Sequence, residues 1–237
     1  EPSVVSVEAL ESDQEGLITV SDGSVVLTLA AEHSLTATVE DDEGNEVTAS
    51  TAITVEPGAT AVVSVEVEAA EIQAGEPLGY LVSASDAFGN SKPTDSGELV
   101  ASSESVEMDA SAFTVTVAGS YSVEFTLDDQ SDTAEWTVVP ADPATLEFTV
   151  DSDRVDAGDD VEFEVHITDA FGNSVDAEYV VTCDSTDAVI DDDEIEFLTD
   201  GIYACDATVV GTDLSQSVTI VVDSAGPEIT VLTPARG

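Results

Sequence analysis

Positive charge is what this sequence has least of. Lys92, Arg154 and Arg236 are its only Lys or Arg residues, against 52 Asp plus Glu, for a net charge of −49 in 237 residues. Attraction to nucleic acid or to anionic lipid needs clustered Lys and Arg, so both classes of partner are excluded. Almost no carboxylate finds a salt-bridge partner, and self-repulsion on this scale calls for screening by salt or bound cations. The two histidines, His33 and His166, fall in different parts of the chain and have no partners for nucleophilic catalysis. Phosphate-loop, dinucleotide and zinc-ligand spacings are missing. Carboxylates are too abundant for any one pair to point to glycoside hydrolysis. No apolar run reaches the roughly 18 residues that would span a bilayer as a helix. No basic and apolar leader opens the chain, so a secretion signal is expected to lie upstream.

Repetition is what the sequence does have. Asp-Ala-Phe-Gly-Asn is written at 86–90 and again at 169–173, 83 positions on. With these copies in register, Ala74-Gly75 lies over Ala157-Gly158, and Gly119 and Tyr121 lie over Gly201 and Tyr203. Ala-Thr strands open each copy at 59–67 and 144–150, and apolar strands ending near Pro close them at 134–143 and 218–227. Residues 25–39 match the Gly-x-Tyr strand, with His33 at the tyrosine position. The chain therefore divides into a partial unit at 1–57 that lacks its opening strands, whole units at 58–140 and 141–223, and a linker with a further opening strand at 224–237. A segment of a longer tandem array is the plainest interpretation.

Within a unit the hydrophobic period is two. Val161, Phe163, Val165 and Ile167 share one face of a strand, with Glu162, Glu164 and His166 on the other. Such alternation marks half-buried antiparallel strands. About seven of them per unit, separated by turn signals, predict an all-β fold of tandem immunoglobulin-like antiparallel β-sandwiches in a linear rod.

The Gly-x-Tyr strand, the D-x-x-G-N turn and the Val-Pro linkers resemble bacterial and archaeal immunoglobulin-like repeats, best known from the invasin and intimin adhesins. The resemblance implies a secreted, cell-surface protein whose repeats carry something at their tip or hold cells together. Tyr203, two residues before Cys205, resembles the tyrosine corner of antibody-type domains. Cys183 lies too close to Cys205 for an antibody-type bridge, so a bond between them joins different strands. Cys183 aligns with Ala9 and Ala101, and Cys205 with Leu35 and Val123, all apolar and inward-facing. A facing pair predicts a disulfide, in an oxidising compartment; two buried free thiols are the alternative.

Calcium is the one cofactor the residues favour. Candidate ligands are Asp151, Asp153 and Asp156 in one acidic cluster, and Glu56, Asp142 and Asp223 at the junctions, taken as equivalent positions. None fits an EF-hand loop, and a solvated acidic face adapted to a halophilic or marine setting is the competing reading. Trp136 alternates with Val138 and is expected in a core rather than at a sugar site.

In the repeated motif, Asp86 and Asp169 are expected to cap a turn. Gly89, Asn90, Gly172 and Asn173 tolerate the left-handed backbone such a turn needs, and Phe88 and Phe171 are expected to turn inward. A similar turn lies at 42–45. The sequence thus reads as a non-catalytic stalk, spacer or filament segment whose partners are neighbouring repeats of the same protein. Two alternatives stay open. One is an adhesin module binding a glycan or protein receptor. The other is a filament subunit whose tail, 227–234, completes the first unit of the next copy by strand addition.

Overall fold

In a computed structural model of the protein, the residues described are 9–12, 17–20, 24–41 and 43–224. Among them the regular structure is all strand. The tail at 225–237, with its expected further strand and Arg236, lies outside the described residues.

The chain opens with β1 (Ala9–Ser12), β2 (Leu17–Val20), β3 (Ser24–Leu27), β4 (Glu32–Glu40) and β5 (Glu46–Thr54). The first, fourth and fifth form one sheet in the order β1-β4-β5, and β2 pairs with β3. Next come β6 (Thr60–Val67), β7 (Glu71–Gln73), β8 (Pro77–Asp86), β9 (Glu98–Ala101), β10 (Glu107–Met108), β11 (Ala112–Thr114), β12 (Gly119–Leu127) and β13 (Gln130–Val139). They form two sheets, β10-β11-β8-β6 and β7-β13-β12-β9. Eight more follow: β14 (Thr145–Val150), β15 (Arg154–Val155), β16 (Asp160–Thr168), β17 (Tyr179–Cys183), β18 (Ala188–Asp191), β19 (Glu194–Phe197), β20 (Gly201–Val209) and β21 (Ser215–Val222). Their sheets, β14-β16-β19-β18 and β15-β21-β20-β17, repeat the preceding order strand for strand.

This is the two-sheet arrangement of immunoglobulin-like domains. In both sets the opening strand is shared between sheets. β6 and β14 pair antiparallel with β8 and β16, while β7 and β15 run parallel to β13 and β21. The Ala-Gly steps end the short parallel strands, where Gly75 and Gly158 take φ of +84° and +91°. Both amides donate across, Gly75 to Val115 O and Gly158 to Phe197 O, each at 2.8 Å.

By compactness the chain separates into two units. One holds Glu1–Ala70, Pro77–Phe113 and Ser120–Trp136; the other holds Glu71–Glu76, Thr114–Gly119 and Thr137–Gly237. Tyr80, Phe113, Trp136 and Tyr121 stack in sequence inside the first. Trp136 is buried there as a packing residue. The second is built on Phe148, Val161, Phe163, Ile195, Phe197 and Ile220. Each such side chain stabilises the fold by about 1.5–3 kcal/mol on burial. The alternation of β16 is realised, with Val161, Phe163 and Ile167 buried and Glu162, Glu164 and His166 exposed.

The structure contains a disulfide between Cys183 and Cys205, with a Cα–Cα distance of 4.0 Å. These residues face each other across β17 and β20, so the bond staples two neighbours of one sheet rather than crossing the sandwich. Ala101 and Val123 face each other at the matching place. The alignment of Ala9 with this position is corrected by the pairing: Leu35 faces Ser12, and Ala9 faces Thr38.

Candidate functional site

The Asp-Ala-Phe-Gly-Asn turns are built by one aspartate each. Asp86 Oδ1 accepts the amides of Phe88 and Asn90 at 2.8 and 3.0 Å. Asp169 Oδ1 accepts those of Phe171 and Asn173 at 2.9 and 2.8 Å. The second oxygen accepts the turn's own asparagine Nδ2, at 2.8 Å for Asp86 and 2.7 Å for Asp169. Gly89 and Gly172 carry the left-handed backbone, with φ of +85° and +87°. This much is an Asx turn.

Both turns reach beyond themselves. Asp86 Oδ2 accepts the Gly58 amide at 2.8 Å, and Asp169 Oδ2 accepts the Ala141 amide at 2.9 Å. Each aspartate so grips the segment that leads into its own set of strands. The asparagines reach in the other direction. Asn90 Nδ2 donates to Thr28 O and its Oδ1 accepts from Ala30 N, both at 2.8 Å. Asn173 does the same with Thr116 O and Ala118 N, again at 2.8 Å. One carboxamide thus reads one backbone C=O and one backbone N–H two residues apart, from a segment 55 to 62 positions earlier.

That segment is preset to be read. His33, the residue in the tyrosine position, is buried and donates from Nε2 to Leu29 O at 2.8 Å. Tyr203 donates its hydroxyl to Thr199 O at 2.9 Å, with the same four-residue separation. Thr28 and Ala30, whose C=O and N–H are read by Asn90, flank Leu29, whose C=O is taken by His33. The His33 ring thus serves the corner.

Burial and bonding set the aspartates' charge. Asp86 and Asp169 are only 3% and 2% exposed. The Asn90 carboxamide, followed by the Gly58 amide, holds Asp86 well below the ordinary carboxylate range. For Asp169 burial is the largest single effect and pushes upward. The donors on Asn173, Ala141 and Phe171 together outweigh it and bring the pKa to about 2. Both turns are anionic at neutral pH, with every charge-bearing oxygen satisfied by donors.

Phe88 and Phe171 do not turn inward; they are 65% and 48% exposed. Each amide points into the turn toward the aspartate, which aims the side chain out. The Phe171 ring lies against Gly75, where an added Cβ would sit 2.4 Å from its Cζ.

The junction carboxylates expected to hold calcium are not equivalent. The matching linker residues are Gly58 and Ala141, which leaves Glu56 two positions before and Asp142 one after. Asp223 pairs with Arg154 through Nη2 at 2.6 Å. Asp151 and Asp153 are exposed in the β14–β15 connection, and Asp156 is exposed just after β15. Among the described residues, no three His, Cys, Asp or Glu side chains gather to hold a metal ion. The two described cations serve the linkers instead. Lys92 Nζ donates to Gly58 O at 3.0 Å and lies 3.8 Å from Asp128. The partners at Thr28, Ala30, Thr116 and Ala118 are backbone groups, invisible to a search for side-chain chemistry. The four-residue offset from His33 and Tyr121 is the signal that points to them.

No protein-family model matches the chain, and no curated protein does. Solved structures do resemble it. FdeC, an Escherichia coli adhesin, is 15% identical with a TM-score of 0.52, over 93% of this chain and 87% of that one. Invasin, a bacterial integrin-binding protein, is 13% identical with a TM-score of 0.58, over 90% of this chain and 52% of that one. At these identities the likeness is one of fold, the all-β immunoglobulin-like arrangement of bacterial adhesins.

Proposed function

We propose that the chain is a length of an extracellular surface protein made of tandem immunoglobulin-like repeats, and that its task is to hold successive repeats in fixed attitude, as a non-catalytic stalk or spacer. The repeats are the partial one at 1–57, those at 58–140 and 141–223, and the beginning of another from 224. The observation that carries this reading is the twice-made turn, whose aspartate grips the linker and whose asparagine grips the backbone of the repeat before. Two copies with matching partners and distances are what a repeated joint requires. A tether that only spaced the repeats would need neither grip. The disulfide suits an oxidising, extracytoplasmic setting. The asparagine half of the joint is neutral amide chemistry on backbone groups, and the aspartate half is a carboxylate fully supplied with donors, so the joint forms despite the acidic surface. Salt then acts on the remaining repulsion between carboxylates.

Small-angle scattering tests the reading. Asn90→Ala with Asn173→Ala is expected to broaden the distance distribution of the chain while circular dichroism stays that of folded strands. An unchanged distribution would show that the turns do not set the attitude of the repeats.

A second reading, an adhesive module, is favoured by Phe88, a large aromatic left 65% exposed at a turn tip. Loss of receptor or glycan capture in Phe88→Ser, with scattering unchanged, would move the assignment to that reading.

A further inference from the structure

The corner that is read by Asn90 and by Asn173 occurs a third time. Tyr203 donates to Thr199 O, and with Gly201 and Tyr203 set over Gly119 and Tyr121, Leu198 and Asp200 hold the positions of Thr116 and Ala118 in the repeat before. Leu198 is 56% exposed. Among the described residues neither Leu198 O nor Asp200 N has a hydrogen-bond partner. The linker amide that matches Gly58 and Ala141 belongs to Ser224. It donates to Asp200 Oδ1 at 3.0 Å, and the Ser224 hydroxyl donates to the same oxygen at 2.7 Å. Asp200 thus occupies the place that Asp86 and Asp169 take at the two filled joints.

The geometry points to a docking socket formed by Leu198, Asp200 and Ser224, whose occupant is the D-x-x-G-N turn of a further immunoglobulin-like repeat. The incoming asparagine carboxamide donates to Leu198 O and accepts from Asp200 N. The incoming aspartate takes the Ser224 amide, and Asp200 is released from it. Asp200 acts as a stand-in that keeps the linker amide satisfied while the socket is open. An asparagine side chain is selected because the socket offers one acceptor and one donor at the spacing a carboxamide matches. A carboxylate there would face Leu198 O without a donor. This inference rests on reading the chain as a run of repeats.

The test joins a further copy of residues 142–224 after Ser224, which brings another Asp169-to-Asn173 turn to the socket in register. Amide hydrogen exchange is followed at Asp200, with slow exchange in the added copy's own core strands reporting that it has folded. The expected result is that exchange at Asp200 slows by about tenfold or more relative to the parent chain, as for an amide that gains a buried partner. Asn173→Ala made in the added copy alone should restore the parent rate. Equal Asp200 exchange with and without a folded added copy would overturn the inference. If the added copy does not fold, a cyclised peptide containing Asp-Ala-Phe-Gly-Asn is titrated into the parent chain to millimolar concentration. Shifts confined to the Asp200 and Ser224 amides support the socket, and their absence overturns it. Exchange at Ala118 separates the two readings. Protection there that is lost in Asn173→Ala, with no change at Asp200, removes the socket alone. An unprotected Ala118 in the parent chain removes the joint as well.

Discussion

The turn at Asp41 and the turns at Asp86 and Asp169 share the same internal bonds and differ in what lies outside them. Asp41 Oδ1 accepts the amides of Glu43 and Asn45 at 2.9 and 2.8 Å, and Asn45 Nδ2 folds back onto the carboxylate. Gly44 takes φ of +81°, close to Gly89 and Gly172. That turn joins β4 to β5, is exposed, and takes all the hydrogen bonds of its Asp41 side chain from within the loop. The other two are sunk between a linker and a corner. The pattern D-x-x-G-N thus specifies a turn, and the second function is conferred by place. An asparagine that points at a preset corner becomes a joint, and one that points at water closes a hairpin.

The widest gap is expected at the aspartates. Asp169→Ala strands donors on Phe171, Asn173 and Ala141 and should lower Tm by about 10 °C, since buried donors left unpaired are costly. Asp41→Ala leaves donors that water can reach and should lower it by about 1–2 °C. Equal losses in thermal melts would break the comparison. The asparagines come next. Asn173→Ala should cost about 2 kcal/mol in denaturant unfolding, against under about 0.5 kcal/mol for Asn45→Ala.

Acid sharpens the contrast further. A carboxylate whose folded pKa is depressed contributes stability above its ordinary value of 3.8, and that stability is lost as pH falls through the folded value. For Asp169 the window runs from about 4 down to about 2. Glu194 runs the other way. Asp160 beside it, then burial and other nearby carboxylates, raise its pKa, so its contribution is present at low pH and lost as pH rises. Unfolding midpoints in the parent chain should therefore drop between pH 4 and 2. A variant carrying Asp86→Asn and Asp169→Asn should be weaker at pH 6 and should lose less across that window, the remaining loss falling to Asp41, Asp109 and Asp200, whose donors also hold them low. A parallel drop in both chains would assign the acid loss to other carboxylates. The smallest difference between the turns is expected at the glycines. Gly44, Gly89 and Gly172 have nothing within 4 Å of an added Cβ, so replacement by Ala costs backbone strain alone. That is about 1 kcal/mol at each. A larger loss at Gly172 than at Gly44 would show that the clamped turns hold a strain the open one lacks.

The strands were legible because period-two alternation is a local property. Val161 to Ile167 declare their faces without reference to anything distant. The turn was legible too, since Asp, Gly and Asn act within five residues. The joint was not, because the partners of Asn90 and Asn173 are backbone groups 55 to 62 positions away that carry no residue signature. Phe88 and Phe171 misled for a related reason. Hydrophobicity argued for burial, whereas the direction of a side chain at a turn tip is fixed by its amide. The acidic clusters drew attention to calcium through composition alone, while the carboxylates that bind the linker are the buried ones among the described residues.

Amide hydrogen exchange at Ala30 and Ala118 tests the central claim most directly. Both residues lie outside regular strands, so a loop without a joint would exchange rapidly there. The joint predicts slow exchange at both in the parent chain, with Ala30 released by Asn90→Ala alone and Ala118 by Asn173→Ala alone. Fast exchange at both positions in the parent chain, or slow exchange that survives the two substitutions, would contradict it.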